Sequence, residues 1–201
     1  MSVVALTGLV LVWAGRFALE LIRADLAFIE PRHQISQWIY GRETYTYAQW
    51  AKAYERMRFA ISVSPENPVL HEYMASLLAL RGQAYWKSDV LRNAFFLDAR
   101  RHQQMSLKLR PTNGRTWAGL ALSLHALNED GWSLNNAISQ SLHYAPHDSR
   151  VQRQIAAVVM ARWNAVNPEH RNWVRAAYRD PKTRQRIQLD SLAKMYGIRF
   201  V

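Results

Sequence analysis

The chain has no cysteine among its 201 residues, and it contains only 8 glycines and 7 prolines. Without cysteine there is no disulfide framework and no thiol nucleophile, although this absence fits oxidising and reducing compartments equally. So few glycines and prolines argue against disorder and against an all-β fold with many turns. A half-buried sheet would require sustained alternation of polar and apolar residues, which the sequence lacks. Residues 44–47 are the nearest candidate for a strand. The sequence therefore predicts an all-α protein.

The motifs that usually indicate catalysis are also missing. There is no glycine-rich phosphate loop, no His-Glu-x-x-His pair and no Gly-x-Ser-x-Gly turn. The seven histidines are scattered. The closest two, His143 and His147, flank Pro146 in a turn, so they need not share a helix face. We therefore predict no catalytic residue, no metal site and no cofactor.

Three prolines introduce similar helical segments. Pro65, Pro111 and Pro146 are 46 and 35 residues apart, and apolar residues at helical spacing follow each of them. After Pro111 the sequence continues with Trp117, then Leu120 and small residues. This pattern resembles a tetratricopeptide-type repeat, whose unit is ~34 residues long, so the first interval holds about a dozen extra residues. We expect the surplus around residues 82–98, as a helix or as a mobile loop.

Repeats of this kind stack as helical hairpins, because one hairpin cannot bury both of its apolar faces. The resemblance implies an α-solenoid of TPR-like hairpins over residues 32–165. We expect a hydrophobic helix over residues 1–29 before it and a basic helical cap over residues 166–201 after it. Six tryptophans are expected to fill gaps between helices: Trp38, Trp50, Trp86, Trp132, Trp163 and Trp173.

The concave surface of such an array is formed by the first helices of successive hairpins. We expect a protein partner to bind in this groove, since concave repeat surfaces hold other proteins. The predicted groove residues are His71, Met74, Asn113, Arg115, Gln152 and Ile155.

The first 29 residues differ from the rest of the chain. Residues 3–15 carry no charge, and the apolar pattern continues beyond Arg16 and Glu20, which can meet on one helix face. A bilayer span needs about 20 apolar residues, so this segment favours a membrane anchor. A buried first helix of a soluble protein is the alternative. The predicted anchor residues are Val3, Leu6, Leu9, Leu11, Trp13 and Phe17.

Positive charge is concentrated near the C-terminus. The net charge of the chain is +11, and 11 of its 26 Lys and Arg residues but 3 of its 15 Asp and Glu residues fall within residues 150–201. Such a surface suits anionic lipid, an acidic protein or polysaccharide, or nucleic acid, and it can also be a solvated helix face. No nucleic-acid-binding motif is present, so an anchored chain favours lipid or a membrane-bound partner. The predicted basic surface comprises Arg171, Arg175, Arg179, Lys182, Arg184 and Arg186.

Several segments taken together resemble a known family. They are Arg-Ala-Asp-Leu-Ala-Phe at 23–28, Gln-Trp at 37–38, Ser-Pro-Glu-Asn-Pro at 64–68, the run at 109–118 and the basic tail around 173–177. The chain is similar to the VpsP-like proteins of bacterial polysaccharide-biosynthesis loci, and the resemblance spans most of its length. It implies an accessory role in making or exporting an extracellular polysaccharide, with the repeats outside the inner membrane. It implies no catalytic residue.

The orientation in the membrane stays open at this point. Arg16, Arg23 and Arg32 follow the apolar run, which by the positive-inside rule places the repeats in the cytoplasm. We predict a non-catalytic, membrane-anchored adaptor of polysaccharide biosynthesis or export in the bacterial inner membrane. The alternatives are a soluble basic repeat protein that binds RNA or an acidic protein, and a protein that binds or acts on a polysaccharide.

Overall fold

A computed structural model describes the backbone of residues 3–200, the side chains of residues 25–200 and several side chains between 13 and 23. The described residues form α-helices and no β-strand, which confirms the all-α prediction. The helices are α1 Val3–Ile39, α2 Tyr47–Val63, α3 Pro68–Ala84, α4 Asp89–Leu109, α5 Gly114–Ala126, α6 Trp132–Tyr144, α7 Ser149–Ala161, α8 Pro168–Arg179, α9 Pro181–Arg186 and α10 Leu189–Tyr196.

Consecutive helices pack as hairpins, α1 with α2, α3 with α4, α5 with α6 and α7 with α8. The first helices of the hairpins also touch one another in the order α1, α3, α5 and α7. The short α9 and α10 close the end of the array, where α10 packs on α7. The result is a helical-repeat-like arrangement in which one layer of first helices lies beside one layer of second helices.

The turns between hairpins are built alike. Each holds a proline and, two positions later, an Asn or Asp whose side chain accepts hydrogen bonds from backbone N–H groups at the start of the next helix. This is helix N-capping by the residue types best suited to it. The caps are Asn67, Asn113 and Asp148, after prolines 65, 111 and 146.

A second feature repeats in the same turns. The residue six positions after each proline donates a side-chain N–H to the carbonyl oxygen of that proline. His71 Nε2 lies 2.8 Å from the oxygen of Pro65, Trp117 Nε1 lies 2.7 Å from that of Pro111, and Gln152 Nε2 lies 2.5 Å from that of Pro146. Three different residue types therefore make the same hydrogen bond at equivalent positions. This supports an internal repeat that a comparison of residue types would miss.

The extra residues of the longer interval lie within helices. Helices α3 and α4 have 17 and 21 residues, whereas α5 and α6 have 13 each. The turn between α3 and α4 occupies only residues 85–88. The surplus therefore lengthens the hairpin and forms no separate loop.

Helix α1 is the longest element, with 37 residues, and it continues through Pro31. Proline cannot donate a backbone hydrogen bond, but the helix continues beyond it because Ile35 and Trp38 bury its last turns. Glu30 forms ion pairs with Lys52 and Arg56 of α2. The predicted hydrophobic segment and the first repeat helix are thus one continuous helix.

In the part of the chain that the structure describes, no helix combines the length and the apolar character needed to cross a bilayer. Of the predicted anchor residues, Trp13 has a described side chain, and it is exposed. The side chains of Val3, Leu6, Leu9, Leu11 and Phe17 lie outside the described residues.

The buried residues form two clusters. One joins α1 to α4 around Met57, Met74 and Leu77, and the other extends from the end of α4 to α10 around Leu134 and Ile155. Leu122 of α5 packs against both clusters and connects them.

Most of the tryptophans pack as predicted, with two exceptions. Trp38 and Trp50 are buried, and Trp163 and Trp173 pack against the second cluster. The prediction is wrong for Trp86 and Trp132, which are 70% and 79% exposed. Both lie at the turn within a hairpin, where a side chain has no neighbouring helix to cover it.

A candidate binding groove along the first helices

A pocket of about 370 Å³ opens on the layer of first helices. Residues of α1, α3, α5 and α7 line it, together with Gln103 of α4. Small side chains on α3 and α5 give it depth, because they keep the groove between the helices open. These small residues are Ala75, Ala79, Ala118 and Gly119.

The structure brings few of the predicted groove residues to this surface. Arg115 lines the pocket, and Asn113 lies next to it as the cap of α5. His71, Met74, Gln152 and Ile155 lie in the interior instead. Met74 and Ile155 are core residues, while His71 and Gln152 are buried and bind the proline carbonyls of their turns.

The residues that do line the groove are neighbours of the predicted ones. On α3 they include Glu72, Ser76 and Gln83, and on α7 they include Arg150 and Gln154. One residue along a helix rotates the side chain by about 100°, so a small error in phase exchanges the groove for the core. Polar residues occur on this stripe, but alanines and a leucine lie on it too, so polarity alone does not separate it from the core.

The acidic residues beside the groove are already engaged. Glu72 accepts a hydrogen bond from Asn113 Nδ2 at 2.5 Å and lies 3.7 Å from Arg110. Asp148 pairs with Arg115 Nε at 2.6 Å. Burial opposes the ionisation of Asp148, but the hydrogen bonds from Arg115 and from the N–H of Val151 outweigh it and hold its pKa below the usual value.

Arg150 is different, because its charge has no carboxylate partner among the side chains that the structure describes. Its guanidinium lies 3.6 Å from the centre of the Tyr40 ring, a cation–π contact that joins the end of α1 to the start of α7. Partial burial lowers the pKa of Arg150, since desolvation disfavours the charged form. The groove therefore holds a positioned and uncompensated positive charge.

Two buried polar atoms beside the groove also lack a partner in the described part of the protein. They are Oε1 of Gln103 and Oγ1 of Thr116, and both residues line the pocket. An unpaired buried polar group costs about 1–3 kcal/mol, so these two atoms locally destabilise the wall of the groove. At its surface the groove combines a cation with polar and small apolar side chains, and this combination suits the binding of a ligand.

A pair of histidines lies behind the groove. His71 Nδ1 and His102 Nδ1 are 2.9 Å apart. Because Nε2 of His71 donates to the Pro65 carbonyl, its Nδ1 accepts, and His102 is the donor in the neutral pair. Burial and the neighbouring His71 lower the pKa of His102 to about 4.

This pair predicts acid sensitivity. The unfolded chain binds a proton at His102 near the ordinary pKa of about 6.5, whereas the folded protein does so only near 4. The free energy of unfolding should therefore fall as the pH is lowered from about 7 to about 4, because the unfolded state binds more protons in this window. Urea unfolding midpoints measured across this range test the prediction.

The variant His102→Gln isolates the contribution of this residue. Burial also lowers the pKa values of His125 and His170, so the variant should retain part of the pH dependence. We expect its curve to be flatter than that of the wild type between pH 4 and 6.5. Identical slopes for the two proteins would refute the assignment.

The predicted basic surface divides into two sets. Arg171 donates to the carbonyls of Trp163 and Val166, Arg184 pairs with Asp190, and Arg186 donates to the carbonyl of His147. These three arginines stabilise the cap itself. Arg175, Arg179 and Lys182 are exposed.

No group of three or more His, Asp or Glu side chains is placed to hold a metal ion within the described residues. Comparisons of the chain with protein-family models, with curated proteins and with solved structures give no match in any of the three. We therefore infer the function of this chain from its own sequence and geometry.

Proposed function

We propose that this protein is a non-catalytic adaptor that binds an extended segment of a partner protein in the groove along α1, α3, α5 and α7. The observation that carries the proposal is the pocket between these helices, lined by the uncompensated Arg150 and by small residues of α3 and α5. A groove that spans several helices suits a chain better than a compact molecule.

The chemistry of the groove specifies the segment. Arg150 favours a carboxylate in the partner segment, because hydrogen bonds between a guanidinium and a carboxylate are strong. The alanines of α3 and α5 leave room beside this charge for an apolar side chain. The partner segment thus carries an acidic residue next to a small or medium apolar one.

The wider setting is part of the same proposal. The hairpins are TPR-like units, as the recurrent turn with its proline-carbonyl hydrogen bond suggests. The apolar residues 3–15 at the start of α1 favour an anchor in the bacterial inner membrane. The resemblance to VpsP-like proteins favours a partner in polysaccharide biosynthesis or export, with the repeats on the periplasmic side.

Site-specific crosslinking in cells tests the groove. A photoreactive residue at Gln83, which lines the groove and is exposed, should give a discrete crosslinked protein. The same residue at Gln104, exposed on α4 outside the groove lining, should not. Arg150→Gln should weaken the Gln83 crosslink about tenfold, because a hydrogen bond to a charged group contributes about 1.5–3 kcal/mol.

Arg101→Gln is the matched control for charge. Arg101 is exposed on α4 and pairs with Asp98, so this variant loses the same charge away from the groove. Equal weakening by the two variants would contradict a groove site. Fractionation of cells tests the anchor, and protease treatment of spheroplasts tests which side of the membrane the repeats face. Recovery of the protein in the soluble fraction would refute the anchor and favour the RNA-binding alternative.

A further inference from the structure

A second cleft lies in the C-terminal cap, away from the groove. It has a volume of about 590 Å³, within the range of small-molecule sites. Three aromatic rings form its frame: Trp163 after α7, Tyr178 of α8 and Phe200. The centre of the Phe200 ring lies 4.2 Å from that of Tyr178 and 6.0 Å from that of Trp163.

Four arginines line the same cleft: Arg175, Arg179, Arg184 and Arg199. The aromatic rings orient two of them. The guanidinium of Arg175 lies 5.3 Å from the centre of the Trp163 ring, and that of Arg184 lies 4.2 Å from the centre of the Tyr178 ring. A cation–π contact positions a guanidinium without neutralising its charge. The two guanidiniums already cover one face of the Trp163 ring and one face of the Tyr178 ring. These rings therefore serve mainly to position the cations.

Among the carboxylates that the structure describes, one compensates a single member of this arginine set. Arg184 forms a pair with Asp190 at 2.6 Å, and its hydrogen bonds lower the pKa of that carboxyl. Arg175, Arg179 and Arg199 form no ion pair with a carboxylate in the described portion of the chain.

Among the residues that the structure describes, no acidic side chain lines the cleft. Of those nearby in sequence, Asp180 accepts from backbone N–H groups at the start of α9. Like charges in one cleft repel each other unless an anion balances them.

We propose that this cleft is a binding site for a phosphate-bearing ligand. A phosphate group carries a charge of about −1.5 to −2 and presents three acceptor oxygens, which match three uncompensated guanidiniums. A single carboxylate has one negative charge and would leave most of them unbalanced. Planar guanidiniums also bind phosphate through two parallel hydrogen bonds, which a lysine cannot do. The exclusive use of arginine in the cleft fits this chemistry.

The site is independent of the groove and of the partner proposed for it. The shared chemistry is a terminal phosphate, and its source is either a free phosphorylated compound or a lipid headgroup. Binding of inorganic pyrophosphate to the purified full chain, measured by calorimetry, tests the first source. Cosedimentation with phosphatidate vesicles, compared with neutral phosphatidylcholine vesicles, tests the second.

The decisive variant is Arg179→Gln/Arg199→Gln. It leaves the rings and the Arg184–Asp190 pair in place, so the fold of the cap should persist, which circular dichroism can check. Each arginine donates charged hydrogen bonds to the phosphate, so we expect its loss to weaken binding at least about tenfold. The charge-matched control is Arg58→Gln/Arg101→Gln, which removes two exposed arginines from α2 and α4 and should bind like the wild type.

The outcomes are distinct. Pyrophosphate binding that the cleft variant weakens and the control keeps supports the site with a free phosphorylated ligand. The same pattern with phosphatidate vesicles alone supports the site with a lipid as its source. Equal losses in both variants would reduce the effect to net charge and overturn the proposal. Stronger binding of oligogalacturonate than of either phosphate probe would overturn it too, by assigning the cleft to carboxylates.

Discussion

Replacing Ile155 by alanine is expected to lower the free energy of unfolding by about 2–5 kcal/mol, the usual cost of truncating a fully buried large aliphatic residue. Ile155 of α7 has no exposed surface and lies in the cluster that extends from the end of α4 to α10. Its removal leaves a cavity in the cluster that also contains the buried residues of the cap. Urea unfolding of the purified protein measures the loss.

The matched control is Ile29→Ala in α1, where the same side chain is 62% exposed. Surface substitutions usually change stability by no more than about 0.5 kcal/mol, so this variant should unfold like the wild type. The pair also separates two interpretations of Ile155. A groove residue would change partner binding with little effect on unfolding, and a core residue does the opposite.

Gly114→Ala should be the second most damaging change, with a loss of about 1–3 kcal/mol from overpacking. A Cβ atom at this first residue of α5 would lie 2.6 Å from Cβ of Ala145 and 2.9 Å from its backbone nitrogen. The obstacle includes backbone, so it cannot move away as a flexible side chain can. Thermal unfolding monitored by circular dichroism tests the expectation.

Gly119→Ala in the same helix provides the comparison. The nearest obstacle there is Nε2 of Gln103 at 3.0 Å, the flexible end of a side chain. Alanine also favours the helix by up to about 1 kcal/mol relative to glycine. Gly119→Ala should therefore cost much less than Gly114→Ala, and a similar loss at both positions would contradict the close approach of α5 to α6.

The helical class and the hairpin boundaries could be predicted from the sequence because local chemistry determines them. Pro65, Pro111 and Pro146 interrupt the apolar pattern, and an Asn or Asp two positions later caps the next helix. These effects act within a few residues. The same local rules could not show whether residues 82–98 extend two helices or form a loop, since that depends on the packing of α3 against α4.

The groove residues were harder to predict because they depend on the rotation of each helix about its axis. On α3, Met74 lies in the core while Ser76 lines the groove, and the two are only two positions apart. Ala, Ser and Gln fit a groove wall or a half-covered core face, so composition does not choose between them. The cleft in the C-terminal cap could not be predicted for another reason. Trp163, Tyr178 and Phe200 are far apart in the sequence and meet only in the folded chain.

The contact between Tyr40 and Arg150 has a consequence for how the array unfolds. In a linear repeat array each unit touches only its neighbours, so the ends can fray one hairpin at a time. Here the first hairpin touches the fourth directly, at 3.6 Å. Unfolding of the first hairpin therefore also removes the Tyr40 contact of the fourth, and unfolding of the fourth removes the Arg150 contact of the first. The chain should therefore melt as one cooperative unit, and hydrogen exchange should show α1 beyond Pro31 and α7 opening together.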